Sequence, residues 1–77
     1  MSDFRSVQIR LKSVEDVNEF VALASLNQGD VDIRCDRYVV DAKSILGILS
    51  LDLKNVLTVD IYAGDLESKI QKFIVEE

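Results

Sequence analysis

The chain has 77 residues, 48% of them hydrophobic and 30% charged, with a formal net charge of -5. This length suits a single domain over residues 1–77 with a thin core, and the acidic balance argues against nucleic acid or an anionic membrane as the main partner. With no histidine and one cysteine, the chain excludes an internal disulfide, a histidine-based zinc site and any nucleophile activated by its own histidine.

Val7, Ile9 and Leu11 alternate with Gln8, Arg10 and Lys12, which predicts a strand with one buried face. Ser13 follows as a helix N-cap, with Asp16 at the capping-box position. Val14, Val17, Val21 and Ala24 recur at helical spacing, widened by Phe20 and Leu23. Glu15, Asp16 and Glu19 lie where negative charge suits the helix dipole. Asn27-Gln28-Gly29 ends the helix, with Gly29 expected in the left-handed conformation. Val31, Ile33 and Cys35, then Tyr38, Val40 and Ala42, alternate with polar residues and Val39, which predicts two strands joined by a tight turn at Asp36-Arg37. A glycine would be the usual second residue of that turn.

The dense run from Ser44 to Leu51 fits either a buried strand or a short helix, and Ser44 as N-cap favours the helix. Leu57, Val59, Ile61 and Ala63 alternate in a fourth strand. Gly64-Asp65 opens a last helix with Leu66, Ile70, Phe73 and Ile74 on one face. The order is strand, helix, strand, strand, helix, strand, helix. The simplest packing is an α+β two-layer sandwich, with the helices on one face of a four-stranded sheet. The opposite face, with Gln8, Arg10, Asp32, Arg34, Val39, Asp41, Thr58, Asp60 and Tyr62, is expected to meet solvent and form cross-strand pairs. Tyr62 and Val39 on that face could support self-association. Cys35 follows the inward parity of its strand. The aspartates at 30, 32, 36 and 41 lack the pattern of a calcium loop, so no metal is expected. No apolar leader or membrane-length run is visible, and a cytoplasmic setting is the simplest expectation.

The stretch from Asp41 to Leu51 resembles the signature around the regulatory serine of HPr, the small phosphocarrier of the bacterial sugar phosphotransferase system. That signature runs roughly Lys-Ser-Ile-x-Gly-x-x-Ser-Leu, and Lys43, Ser44, Ile45, Gly47, Ser50 and Leu51 match it in spacing. The resemblance runs nearly ungapped from Val7 to Ala63, and it implies an HPr-like open-faced sandwich with a four-stranded antiparallel sheet. The C-terminal helix is shorter than is usual in the family.

The departure from the family is as clear. HPr proteins accept phosphate on a histidine at the start of the first helix, within Gly-x-His-Ala-Arg-Pro-Ala. By the resemblance, Ser13 stands at the histidine position, Glu15 at the arginine position and Asp16 at the proline position. A serine without a base is a weak nucleophile, and carboxylates repel an incoming phosphoryl group. The expected protein is therefore not an enzyme and not a phosphocarrier of the usual kind. It needs no cofactor.

In the Gram-positive branch of the family, the serine matching Ser44 is phosphorylated by an ATP-dependent kinase, and the product docks on a catabolite-control regulator. An HPr-like paralogue of some bacilli lacks the histidine, keeps the serine and serves only in catabolite repression. By resemblance, Ser44 is the candidate for regulatory phosphorylation, and Ile45, Leu46, Ile48, Leu49 and Glu15 are candidates for partner docking. The plain alternatives are that Ser44 and Ser13 only cap helices and that the apolar residues only fill the core. The expected partners are proteins: an HPr-type serine kinase, a catabolite regulator or phosphotransferase components. The alternative is a degenerate HPr-fold module with an unrelated protein partner.

Overall fold

The alternating runs form the strands, and the stripe from Val17 to Ala24 forms the main helix, in the computed structural model, which describes residues 3–75. The elements are β1 (Arg5–Ile9), α1 (Val14–Leu26), β2 (Val31–Cys35), β3 (Tyr38–Asp41), α2 (Ile45–Leu49), β4 (Leu57–Ile61), α3 (Leu66–Lys69) and a 3-10 turn at Gln71–Phe73. The strands form one antiparallel sheet in the order β1-β4-β2-β3. The last strand in sequence therefore inserts between the first and second. Ile9, Ile33, Leu57, Val59 and Ile61 are fully buried on the helix side, against Val17, Phe20, Ala24, Ile48, Leu66 and Ile70. This is the α+β sandwich expected from the periodicity.

Some local expectations change. Val14 is 59% exposed, because it opens α1 beyond the edge of the core. Gly29 is not left-handed; the only positive φ values among the described residues are at Asp36 (55°) and Gly64 (91°). Gly29 is needed for space, since a Cβ there would lie 2.4 Å from the Ala63 Cβ. The Asp36-Arg37 turn puts its left-handed residue first, on an aspartate, which tolerates this conformation better than most residues. The last helix ends at Lys69 and does not reach Ile74. The chain turns there so that Arg10 can donate its N–H to the Phe73 carbonyl at 2.9 Å, and Ile74 bridges to Ile9.

On the open sheet face, Asp60 is only 3% exposed, so it does not meet solvent as its parity suggests. Ser6 Oγ on β1 donates to Asp60 at 2.6 Å. Arg34 on β2 donates twice, at 2.6 and 3.1 Å. Burial pushes the Asp60 carboxyl pKa up, but the hydrogen bonds from Arg34 and Ser6 and the Arg34 charge outweigh it, so the carboxyl stays below its ordinary value. Asp32 is placed differently, because the register sets it opposite Asp41 on one side and Asp60 on the other. Burial, followed by the charges of Asp41, Asp60 and Asp30, raises its pKa.

Two outcomes test this architecture. Gly29→Ala should lower the stability by about 1–3 kcal/mol in urea unfolding, because the Ala63 backbone must shift. Asp32→Asn should stabilise the fold at neutral pH by about 0.5–1 kcal/mol, the scale of a like-charge cross-strand pair. The Asp32 penalty is complete above its raised folded-state pKa. The gain should therefore shrink as pH falls below that value and vanish below the ordinary carboxylate value of about 3.9, as urea midpoints across that range would show.

Candidate functional site

The start of α1 is closed by its own side chains. Ser13 has extended backbone, and its Oγ accepts the Asp16 N–H at 3.1 Å. Asp16 reaches back past the cap, and its Oδ2 accepts the Lys12 N–H at 2.9 Å. The acidic set then splits by role: Asp16 is a cap, Glu19 pairs with Lys72 Nζ at 2.8 Å, and Glu15 stands exposed. Backbone donors and the helix dipole make such a start attractive to anions, and here the Asp16 carboxylate lies in the first turn and is bound back onto the Lys12 N–H.

Beside it lies an open groove of about 660 Å³. Leu11, Val14, Leu51 and Leu53 give it apolar walls, and Arg10, Lys12 and Lys54 bring three cations against the single carboxylate of Asp52. Sequence reasoning missed this basic rim. Lys54 is 41 positions from Ser13 in the numbering, and only the packing of α1 on α2 brings the loop after α2 to the start of α1.

α2 is a five-residue helix capped by Ser44, whose Oγ accepts the Gly47 N–H at 3.0 Å. Ser50 Oγ donates to the Gly47 carbonyl at 2.6 Å. Of the apolar docking candidates, Leu46 is 81% exposed, and Ile45 and Leu49 are each 41% exposed. Ile48 is corrected: it is fully buried, because it alone points from this short helix into the core, and no partner can reach it. Lys43, the first residue of the signature, has a structural task. Its Nζ donates to the Asn27 carbonyl at 3.1 Å, tying the α2 approach to the end of α1.

Among the described residues, no cluster of potential metal ligands occurs, and no helix is long and apolar enough to cross a membrane. Cys35 is a buried free thiol. The accessible features near the two helix starts include the groove, the exposed face of α2 and the half-buried Ser44 hydroxyl.

No family model matches the chain, and no curated protein matches it. Solved structures do. The chain is similar to HPr-C-His from Thermoanaerobacter tengcongensis, with a TM-score of 0.68 and 29% identity over 91% of this chain and 83% of that one. It is also similar to a phosphocarrier protein HPr from Bacillus anthracis str. Ames, with a TM-score of 0.67 and 28% identity over 91% of this chain and 89% of that one. The α+β sandwich described above is thus the HPr fold, matched over most of its length by HPr proteins.

Proposed function

We propose that this chain is an HPr-like protein of the phosphotransferase system that acts through protein contacts and carries no phosphate at the start of α1. The observation that supports this most is the self-closed cap. A phosphorylated side chain at a helix start is stabilised by free backbone N–H groups and a nearby cation. Here Ser13 and Asp16 already occupy the Asp16 and Lys12 N–H groups, and Glu15 adds a second carboxylate to the first turn.

Contact with partners falls to the exposed side chains Ile45, Leu46 and Leu49 of α2, with Glu15 and the basic rim of the groove at their flank. An apolar centre bordered by charge is the usual layout of a protein-binding patch. Phosphorylation of Ser44 would regulate it: a phosphate there exchanges one accepted hydrogen bond for several and adds negative charge beside apolar side chains. An HPr-type serine kinase, a catabolite regulator and other phosphotransferase components are the partners this assigns.

Glu15 favours a second reading. The family's regulator-binding surface normally carries an arginine at that position, and a carboxylate there suits a different partner. Such a chain would be an HPr-fold binding module outside the phosphotransferase system.

Incubation with enzyme I and phosphoenolpyruvate should yield no acid-labile phosphate on this chain, and a stoichiometric signal would overturn the proposal. With the family serine kinase and ATP, intact mass should show one added phosphoryl group on the wild type and none on Ser44→Ala. Capture from the native cytoplasm separates the two readings: phosphotransferase enzymes, the kinase or the regulator support the first, and another stable partner supports the second. Leu46→Asp should weaken that capture by about 1–2 kcal/mol, roughly 5- to 30-fold, without changing the urea midpoint. Ser13→Ala should do the reverse, costing about 1 kcal/mol of stability and leaving capture unchanged.

A further inference from the structure

We propose that the outer edge of β3 pairs with the same edge of a second copy, joining two sheets into one antiparallel sheet about a twofold axis at Val39. The inference starts from the hydrogen-bond parity of the sheet. Ala42 donates its N–H to the Val31 carbonyl, and β2 and β3 pair as Ile33 with Val40 and Cys35 with Tyr38. Antiparallel pairs alternate between bonded and non-bonded. Tyr38 and Val40 therefore bond inward to β2, and the N–H and C=O of Val39 point outward. Among the described residues, no strand lies against that edge. The opposite edge of the sheet is treated differently. There Val75 donates its N–H to the Gln8 carbonyl at 2.8 Å, and Ile9 bridges to Ile74, so the C-terminal end of β1 is covered by its own chain.

Charge complementarity selects the occupant. With Val39 opposite Val39 of the second copy, the two exchange both backbone hydrogen bonds. Arg37, in the turn just before β3, then comes beside the second copy's Asp41 at the end of that strand, twice by symmetry. On the helix side, Tyr38 meets Val40, an aromatic and β-branched pair of the kind that stabilises sheets. A parallel arrangement would place like charges together. Tyr38 is 63% exposed and Val39 58% exposed, and the strand Tyr38–Asp41 has no lysine or proline to block an edge. The contact is isologous, so it closes at two copies and does not propagate. α2 packs beside β3, so pairing also brings the exposed apolar side chains of both α2 helices to the same side of the joined sheet. The proposal rests on β3 alone and is independent of the phosphotransferase role.

Sedimentation across a concentration series up to about 1 mM, the weak end of specific affinities, tests it. The wild-type mass should rise from one chain toward twice that value. Arg37→Asp and Asp41→Arg should each stay at the mass of one chain, because each sets like charges opposite each other. Their equimolar mixture should regain the wild-type shift, since both cross-pairs are then attractive. Hydrogen exchange at the Val39 amide of the wild type should slow as the mass doubles, a readout that needs no variant. A wild type that stays at the mass of one chain throughout, variants that dimerise alone, or a Val39 amide unchanged while the mass doubles would each overturn the proposal.

Discussion

The sheet depends on the buried Asp60 carboxylate. β4 is the last strand in sequence, yet it lies in the middle of the sheet, between β1 and β2. Its helix side is held by apolar burial, which has no directional preference. Its open side carries a carboxylate that only the correct neighbours satisfy: Ser6 from β1 and Arg34 from β2. An unpartnered buried charge costs several kcal/mol, so a misplaced or slipped β4 is penalised. One residue thus connects three strands and discriminates between registers.

A second constraint joins the sheet to the helix layer. Asn27, buried at the end of α1, donates to the carbonyls of Gly29 and Ala63 at 3.0 and 2.8 Å and accepts from Lys43 on its own carbonyl. Gly29 and Gly64 leave the room this requires, and a Cβ on Gly64 would lie 2.1 Å from the Asn27 side-chain oxygen. The end of α1, the entry to α2 and the exit from β4 meet at this point. Arg5 adds a clamp from β1 to the Glu67 carboxylate and the Gly64 carbonyl. The placement of α2, and with it the placement of Ser44 and the exposed Leu46, follows from these contacts.

The two candidate surfaces have opposite chemical characters. The start of α1 is capped by its own side chains: Ser13 meets the Asp16 N–H, and Asp16 meets the Lys12 N–H just before the helix. The α2 face is unsaturated, with apolar side chains in solvent on a helix that has no acidic residue in its first turn and no basic residue in its last. A chain that transfers a phosphoryl group needs the first region open. A chain that works by contact, as proposed above, needs the second exposed.

Element type and burial parity were legible in the sequence because they depend on near neighbours. Period-2 runs such as Leu57-Val59-Ile61 and the 3.6-residue stripe of Val17, Phe20, Val21 and Ala24 express local geometry. The caps at Ser13 and Ser44 are likewise local, since a side chain bonds a backbone group three residues away. Where tertiary contact decides, the sequence was silent or misleading. Ile48 sits among exposed apolar residues of α2 and is core, because the packing of this short helix turns that side chain fully inward and leaves Ile45 and Leu49 part-exposed. Gly29 is needed for its missing side chain, as Ala63, far along the chain, shows. Lys54 joins Arg10 and Lys12 in the basic rim beside Ser13 only because the loop after α2 folds back to it, and Asp60 is buried only because Arg34 and Ser6 converge on it. The sequence by itself determined which residues form strands and helices, which faces turn inward, and that no histidine is available for phosphoryl transfer. The tertiary structure alone decided which charges meet, which glycines have no room for a side chain and which apolar side chains stay exposed, because those outcomes depend on distances between residues that the chain order does not contain.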